Sequence, residues 1–389
     1  MQSFQMVYFV IILLVFAGCE AYEAKYELVN GIPYNKDAPA HDEYPYCPPD
    51  KIIDIDGTEI TIPCFCSQGE DGFLPIFYCN DIPNTDYITA YFDRPFPTYL
   101  AARITVSNSD TLEIPANVFA DKQPIRITWT NNFIKSVDPN AFALTKPELE
   151  ILEIQYEPEL NDFPFTSLNG FPRLRELWLN NNNLSIISDL AEMSVPSLQI
   201  INLDFNNMAV EFPKLRFLPE LRIISAEASE LIGVSNDLPF EELQKLEEIN
   251  FRGNKNIGSI QTGSFVFDQQ TSINNIDLSN CGLVSVEPGA FAGLLSNTNV
   301  SLKDNLLTSL PEEAFRVMLE TMIGGSGKLD LSGNDIVCCC DVNWLISNAG
   351  LEAALIGGKC AGGALINQLP LDYLAPLCPQ MSSSSSLYS

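Results

Sequence analysis

One motif recurs about every 23–29 residues between Leu100 and Ile336, and it constrains the fold more than any other feature of this 389-residue chain. Its clearest copy is Leu174-x-x-Leu177-x-Leu179-x-x-Asn182-x-Leu184. Another runs Val300-x-Leu302-x-x-Asn305-x-Leu307-x-x-Leu310-Pro311 and closes with Ala314-Phe315. A unit this short cannot bury its own apolar face, so copies must stack on one another. The chain then grows as one elongated core, and the two or three domains suggested by length alone are not needed. Alternation such as Ile276-Asp277-Leu278-Ser279 marks a short strand in each copy. Successive strands then lie about 4.8 Å apart in a parallel sheet.

Aligning the copies exposes one polar slot inside an apolar row. In order it holds Ser109, Asn132, Glu157, Asn182, Asn206, Ser229, Asn254, Cys281, Asn305 and Asn334. The side chain points inward under the turn that leaves the strand and bonds backbone groups which would otherwise be buried unpaired, at a cost of about 1–3 kcal/mol each. Cys281 reads as a structural free thiol filling that slot. Glu157, with Pro158 beside it, predicts a distorted third repeat. On the outer side Pro115 to Phe119, Pro139 to Phe142 and Pro311 to Phe315 place phenylalanines in an inner stack. An insertion, Met318 to Gly327, ends in Gly324-Gly325-Ser326-Gly327 and reads as a flexible loop.

The pattern is the signature of leucine-rich repeats. It implies an α/β solenoid with a curved parallel sheet on the concave face, an irregular or short helical convex side, and disulfide caps at both ends. Such a fold holds another molecule and leaves little room for a conventional active site.

Eleven cysteines fit an oxidising compartment. Cys47, Cys64, Cys66 and Cys79 precede the repeats. Cys338, Cys339, Cys340, Cys360 and Cys378 follow them. Zinc is the competing reading of either cluster, but a secretory signal and a single histidine argue against it. The reading divides the chain into a signal peptide (1–19), an acidic leader (20–46), an N-terminal cysteine-rich cap (47–80) and a joining loop (81–100). About ten repeats (101–337), a C-terminal cap (338–378) and a serine-rich tail (379–389) follow. The signal rests on the apolar run Val7 to Phe16 followed by Ala17 and Gly18, too short to span a bilayer. Phe16-Ala17-Gly18-Cys19 also has the look of a lipoprotein box, with Cys19 as the lipidated residue. No later segment reads as a membrane span or a glycolipid-anchor signal.

Cys338-x-Cys340-x-Val342-x-Trp344-Leu345, with Cys360 and Cys378, resembles the C-terminal cap of extracellular leucine-rich-repeat proteins. That resemblance implies Cys338–Cys360 and Cys340–Cys378 bridges, with Trp344 covering the last repeat and Cys339 left over. At the front, Cys47-Pro48-Pro49-Asp50, Pro63-Cys64-Phe65-Cys66 and Cys79 resemble the cap of secreted arthropod leucine-rich-repeat proteins, the group of the non-catalytic subunit of oplophorus luciferin monooxygenase and its non-luminous relatives. It implies Cys47–Cys66 and Cys64–Cys79, where four cysteines alone allow three connectivities. In the luciferase complex that subunit accompanies a separate catalytic chain.

The formal charge of −29 disfavours nucleic acid and anionic membranes and leaves cationic proteins or surfaces open as partners. Catalytic signatures are missing. The one histidine, His41, sits in the leader, and Gly324 to Gly327 lacks the Lys-Ser/Thr of a phosphate loop. No cofactor or metal site is expected. The outward strand residues Thr105, Thr128, Asn202, Ser225, Asn250, Asp277, Ser301 and Asp330 form a polar column, interrupted by Trp178. Tyr156 and Phe205 stand in the next outward columns, and Ile151, Ile200 and Ile223 in a third. These six apolar side chains read as a partner-binding patch. The alternative is that the third repeat or the leader folds over them. Sequons at Asn183 and Asn299 are candidate glycosylation sites. The reading is a secreted, non-enzymatic protein that recognises a protein partner through its concave face, with a homo-oligomer possible. The alternatives are an accessory subunit of a secreted enzyme, innate-immune recognition of a microbial surface ligand, and an adhesion or signalling ectodomain.

Overall fold

The computed structural model describes residues 64–69 and 74–369 apart from 269, 339–341 and 349. It also describes Cys47 and two hairpins, Glu27–Val29 with Ile32–Tyr34 and Lys51–Ile53 with Glu59–Thr61. The expected signal segment and tail, Cys339, Cys340 and Cys378 lie outside the described residues. The chain divides into two compact units, Met1–Ile154 and Gln155–Ser389.

In the first unit Cys64–Gln68 pairs antiparallel with Pro75–Asn80. Pro75–Asn80 pairs parallel with Leu100–Ser107, and that strand with Gln123–Thr130. Ile151–Gln155 comes next in the sheet. Alternation sorts the faces, since successive side chains point opposite ways. Ile104, Val106, Ile127, Trp129, Leu152 and Ile154 are buried. Cys47 is bonded to Cys66, and Cys64 to Cys79 across the antiparallel pair.

Residues 81–100, expected as a joining loop, instead complete a coil of the repeat. Asp81 is left-handed, Ile82 fills the slot position, and helix α1 (Thr85–Phe92) follows. The Asn84 side chain caps α1 by accepting from the Asp86 N–H at 3.0 Å. Tyr91, Phe92 and Phe96 are buried around Phe77, with Phe92 and Phe96 each 5.4 Å from it. Proline and tyrosine suggested a loop, and an apolar slot residue hid the repeat.

To the large sheet the second unit contributes eight parallel strands: Glu176–Trp178, Ile200–Asn202, Ile223–Ser225, Glu248–Asn250, Asn275–Asp277, Asn299–Ser301, Leu329–Asp330 and Leu355–Ile356. Leu177, Ile201, Ile224, Ile249, Ile276, Val300 and Leu329 point inward and are buried. Behind them Phe212 packs 4.8 Å from Phe251, and Phe265 lies 5.6 Å from Phe240 and 5.1 Å from Phe291. Burying each such ring stabilises by about 1.5–3 kcal/mol.

The slot side chains tie consecutive coils together. The Asn305 side-chain oxygen accepts from the N–H groups of Cys281 (2.8 Å) and Leu283 (3.0 Å). Its amide donates to the carbonyls of Leu278 (2.9 Å) and Leu302 (2.8 Å). Asn254 does the same with Ser229, Leu231, Ala226 and Phe251. Cys281 is a buried free thiol that donates to the Phe251 carbonyl at 3.1 Å, as the Ser229 hydroxyl donates to Leu203 at 2.7 Å.

Two expectations need correction. The third repeat is not broken by Glu157. That residue is fully buried in the slot, its N–H donates to the Asn182 side chain at 2.9 Å, and Tyr156 before it is left-handed like its counterparts. Nor is Met318–Gly327 a loose loop. Its first half belongs to helix α2 (Glu312–Met322), whose Met318, Leu319 and Met322 are buried. A Cβ on Gly325 or Gly327 would come within 2.5 Å of the Ser296 or Thr298 carbonyl, so glycine here serves close packing. At this end Cys338 is bonded to Cys360. The Trp344 indole is buried, donates to the Leu310 carbonyl at 2.9 Å, and has the Arg316 guanidinium 5.5 Å above it.

Candidate docking surface

Strand register lines up the outward side chains of the second unit in two columns. Trp178, Asn202, Ser225, Asn250, Asp277, Ser301 and Asp330 are consecutive partners in one. Glu176, Ile200, Ile223, Glu248, Asn275 and Asn299 form the other. Trp178, Ile200 and Ile223 are partly exposed, and the Trp178 indole N–H donates to the Glu176 carboxylate at 3.0 Å. Tyr156 and Phe205 are 49% and 50% exposed. Five of the six expected patch residues belong to this unit, and each is at least partly exposed. Ile151 is partly exposed in the first unit, where Thr105 and Thr128 are register partners.

The residue before the slot is left-handed in every repeat. In the first unit these are Asn108 and Asn131. In the second they are Tyr156, Asn181, Phe205, Ala228, Gly253, Asn280, Asp304 and Gly333. This conformation suits glycine, asparagine and aspartate, which fill most of the row. A bulky side chain there costs about 1–2 kcal/mol. Tyr156 (φ 59°) and Phe205 (φ 56°) bear that cost while half their surface stays in water. They flank Asn181, two strands apart, about 10 Å by strand spacing. Beside them the buried side-chain oxygen of Asn180 has no donor. Sequence reasoning marked the two aromatics but missed their backbone. The signal was available in the Asn/Gly preference of their counterparts.

Next to the apolar patch the face becomes a polar lattice. The Ser225 hydroxyl and the Glu227 N–H donate to Asp204 at 2.6 and 2.7 Å, and the Asn250 amide donates to Ser225 and Glu227 at 3.2 Å each. The first unit's outward face holds a different device. Arg126 grips Glu153 with two N–H groups at 3.0 and 2.5 Å, and the Thr128 hydroxyl adds a third bond at 2.6 Å. Asn299 is exposed, and its side chain accepts from the Lys328 N–H at 3.1 Å; Asn183 is partly buried beside Asn207.

Among the described residues no group of three His, Cys, Asp or Glu side chains is placed to hold a metal. An open pocket is lined by Glu241, Glu242, Gln244, Phe267 and Asp268, without histidine or cysteine. Burial pushes the Cys281 thiol up to about 12, so it is protonated and unreactive at neutral pH.

Known proteins share the repeat. The family described as "BspA type Leucine rich repeat region" matches residues 230–324 in six copies, and "Leucine Rich Repeat" matches residues 173–193. The chain carries leucine-rich repeats. It is 24% identical to the Oplophorus-luciferin 2-monooxygenase non-catalytic subunit of Oplophorus gracilirostris over 85% of its own length and 90% of that subunit. It is 27% identical to the leucine-rich repeat-containing G-protein coupled receptor 5 of Rattus norvegicus, over 54% of this chain and 19% of the receptor. A chain from the octameric complex of Latrophilin 3, Unc5D and FLRT2 superposes with a TM-score of 0.52. It is 16% identical and covers 86% of this chain and 100% of that one, which establishes the shared fold. No helix among the described residues is long and apolar enough to cross a membrane.

Proposed function

We propose that this leucine-rich-repeat protein is a secreted, non-enzymatic binding protein that docks a protein partner on the solvent face of its second unit, around Tyr156, Trp178, Phe205, Ile200 and Ile223. One observation carries the reading. Two aromatic side chains occupy left-handed positions that seven of their eight counterparts give to asparagine, glycine or aspartate, and half of each remains open. That choice strains the local backbone, whereas a partner gains two pre-positioned aromatic anchors beside a tryptophan braced by Glu176. The disulfides at both ends of the described chain suit an extracellular setting. Similarity to a subunit named as non-catalytic supports a companion role beside another chain, and a neighbour of the same fold comes from a multi-protein assembly.

The test is co-isolation from the protein's native fluid. Trp178→Ala should weaken retention of a stoichiometric partner by about 2 kcal/mol or more and leave folding intact. An equal loss of thermal stability would assign Trp178 to the core. Co-purification of one enzyme would make the accessory-subunit form of this reading the specific one.

A further inference from the structure

The charges around the apolar patch say what kind of surface can meet it. Glu176, Glu248, Asp277 and Asp330 stand on the two outward columns, and Asp204 and Glu227 follow Asn202 and Ser225 by two residues. Their hydrogen-bond donors are neutral. Glu176 takes the Trp178 indole, Asp204 the Ser225 hydroxyl and the Glu227 N–H, and Glu248 the Asn275 amide at 3.4 Å. Asp277 takes the Ser279 N–H and hydroxyl at 2.8 and 2.6 Å, and Asp330 the Ser332 N–H at 2.8 Å. Such donors fix each carboxylate in place without cancelling its charge. Among the described residues, one of the six has a basic partner: Arg252 lies 4.0 Å from Glu227. Lys303, on the same face, is 3.9 Å from Asp304.

Resting on the docking reading above, we propose that the partner is a basic protein surface bearing an apolar protrusion. The protrusion seats between Tyr156, Trp178 and Phe205, and lysines or arginines around it face the carboxylate columns. Two other occupants fit the charge poorly. A second copy would bring the same −29. The leader, residues 20–46, holds six carboxylates and two lysines. Complementary potential steers encounter and discriminates against like-charged surfaces, and salt screens it within about 10 Å at 0.1 M.

The probe is a phage-displayed random dodecapeptide library, panned on the immobilised full chain. Peptides with one aromatic or large aliphatic residue flanked by Lys or Arg should be enriched. Their association rate should fall at least about tenfold between about 50 and 500 mM salt. Neutralising three carboxylates that lie beyond Ile223 along the columns (Glu248→Gln, Asp277→Asn and Asp330→Asn together) should lower that rate about tenfold at low salt and little at high salt. Enriched peptides that are neutral or acidic, with salt-independent rates and binding lost in Trp178→Ala, would overturn the charge inference and leave the patch standing. Basic peptides whose binding survives Tyr156→Asn/Phe205→Asn would overturn the docking reading itself. Self-association of the chain, abolished by that double variant, would put a second copy on the patch and also overturn the inference.

Discussion

Two adjacent rows of this solenoid follow opposite rules. The slot row faces inward, and its polar side chains satisfy buried backbone groups, so Asn, Ser and Cys can each fill it by donating to a backbone carbonyl of the preceding coil. The row one residue earlier demands a left-handed backbone and faces solvent, so Asn, Gly and Asp suffice. Where the inner row departs from asparagine, the substitute does the same job, as the Ser229 hydroxyl and Cys281 thiol show. Where the outer row departs, at Tyr156, Phe205 and the small Ala228, the substitute does the local job worse, and the two aromatics are the bulky departures. The inner row records what the fold requires, and the outer exceptions point to a role outside the fold.

The sharpest break of that contrast is within the inner row. Asn305→Ala strands two N–H and two carbonyl groups and should cost about 4 kcal/mol or more in urea unfolding. A cost below about 1 kcal/mol would show that the ladder is not essential. Opening the end of the stack should cost less. Cys338→Ala with Cys360→Ala should remove about 2–4 kcal/mol, read as a lower melting temperature. In the outer row, Asn280→Phe imposes on a polar repeat the conformation that Phe205 tolerates, and should cost about 1–2 kcal/mol. Cys281→Ser should change stability by less than about 1 kcal/mol at pH 7, because serine already fills the slot at Ser229.

The same thiol gives a pH test. Burial raises it from 9.0 to about 12 in the folded chain. Above pH 9 the unfolded chain therefore loses a proton that the folded chain keeps. The stability tied to Cys281 is full below about pH 9 and is lost as pH rises toward 12, at about 1.4 kcal/mol per pH unit. Cys281→Ser should lack this component when the two are compared from pH 8 to 10.

Much of the architecture was legible because it follows from periods. Alternation set the inward and outward faces, and the polar slot set the register that pairs Trp178 with Asn202 and Ser225. Local chemistry hid the rest. Ile82 in a slot that is elsewhere polar concealed the coil containing α1. Glycine was read as freedom at Gly325 and Gly327, where it permits close approach. The Glu176–Trp178 bond and the Arg126–Glu153 pair depend on side-chain directions that spacing cannot supply.

The most direct measurement takes Tyr156→Asn/Phe205→Asn and reads unfolding free energy and partner affinity on the same sample. Both substitutions give the left-handed positions a residue that suits them. The account predicts a chain at least as stable as the original, by up to about 2 kcal/mol, that no longer holds its partner. A less stable chain that binds as before would place those two rings in the service of the fold and contradict the docking surface.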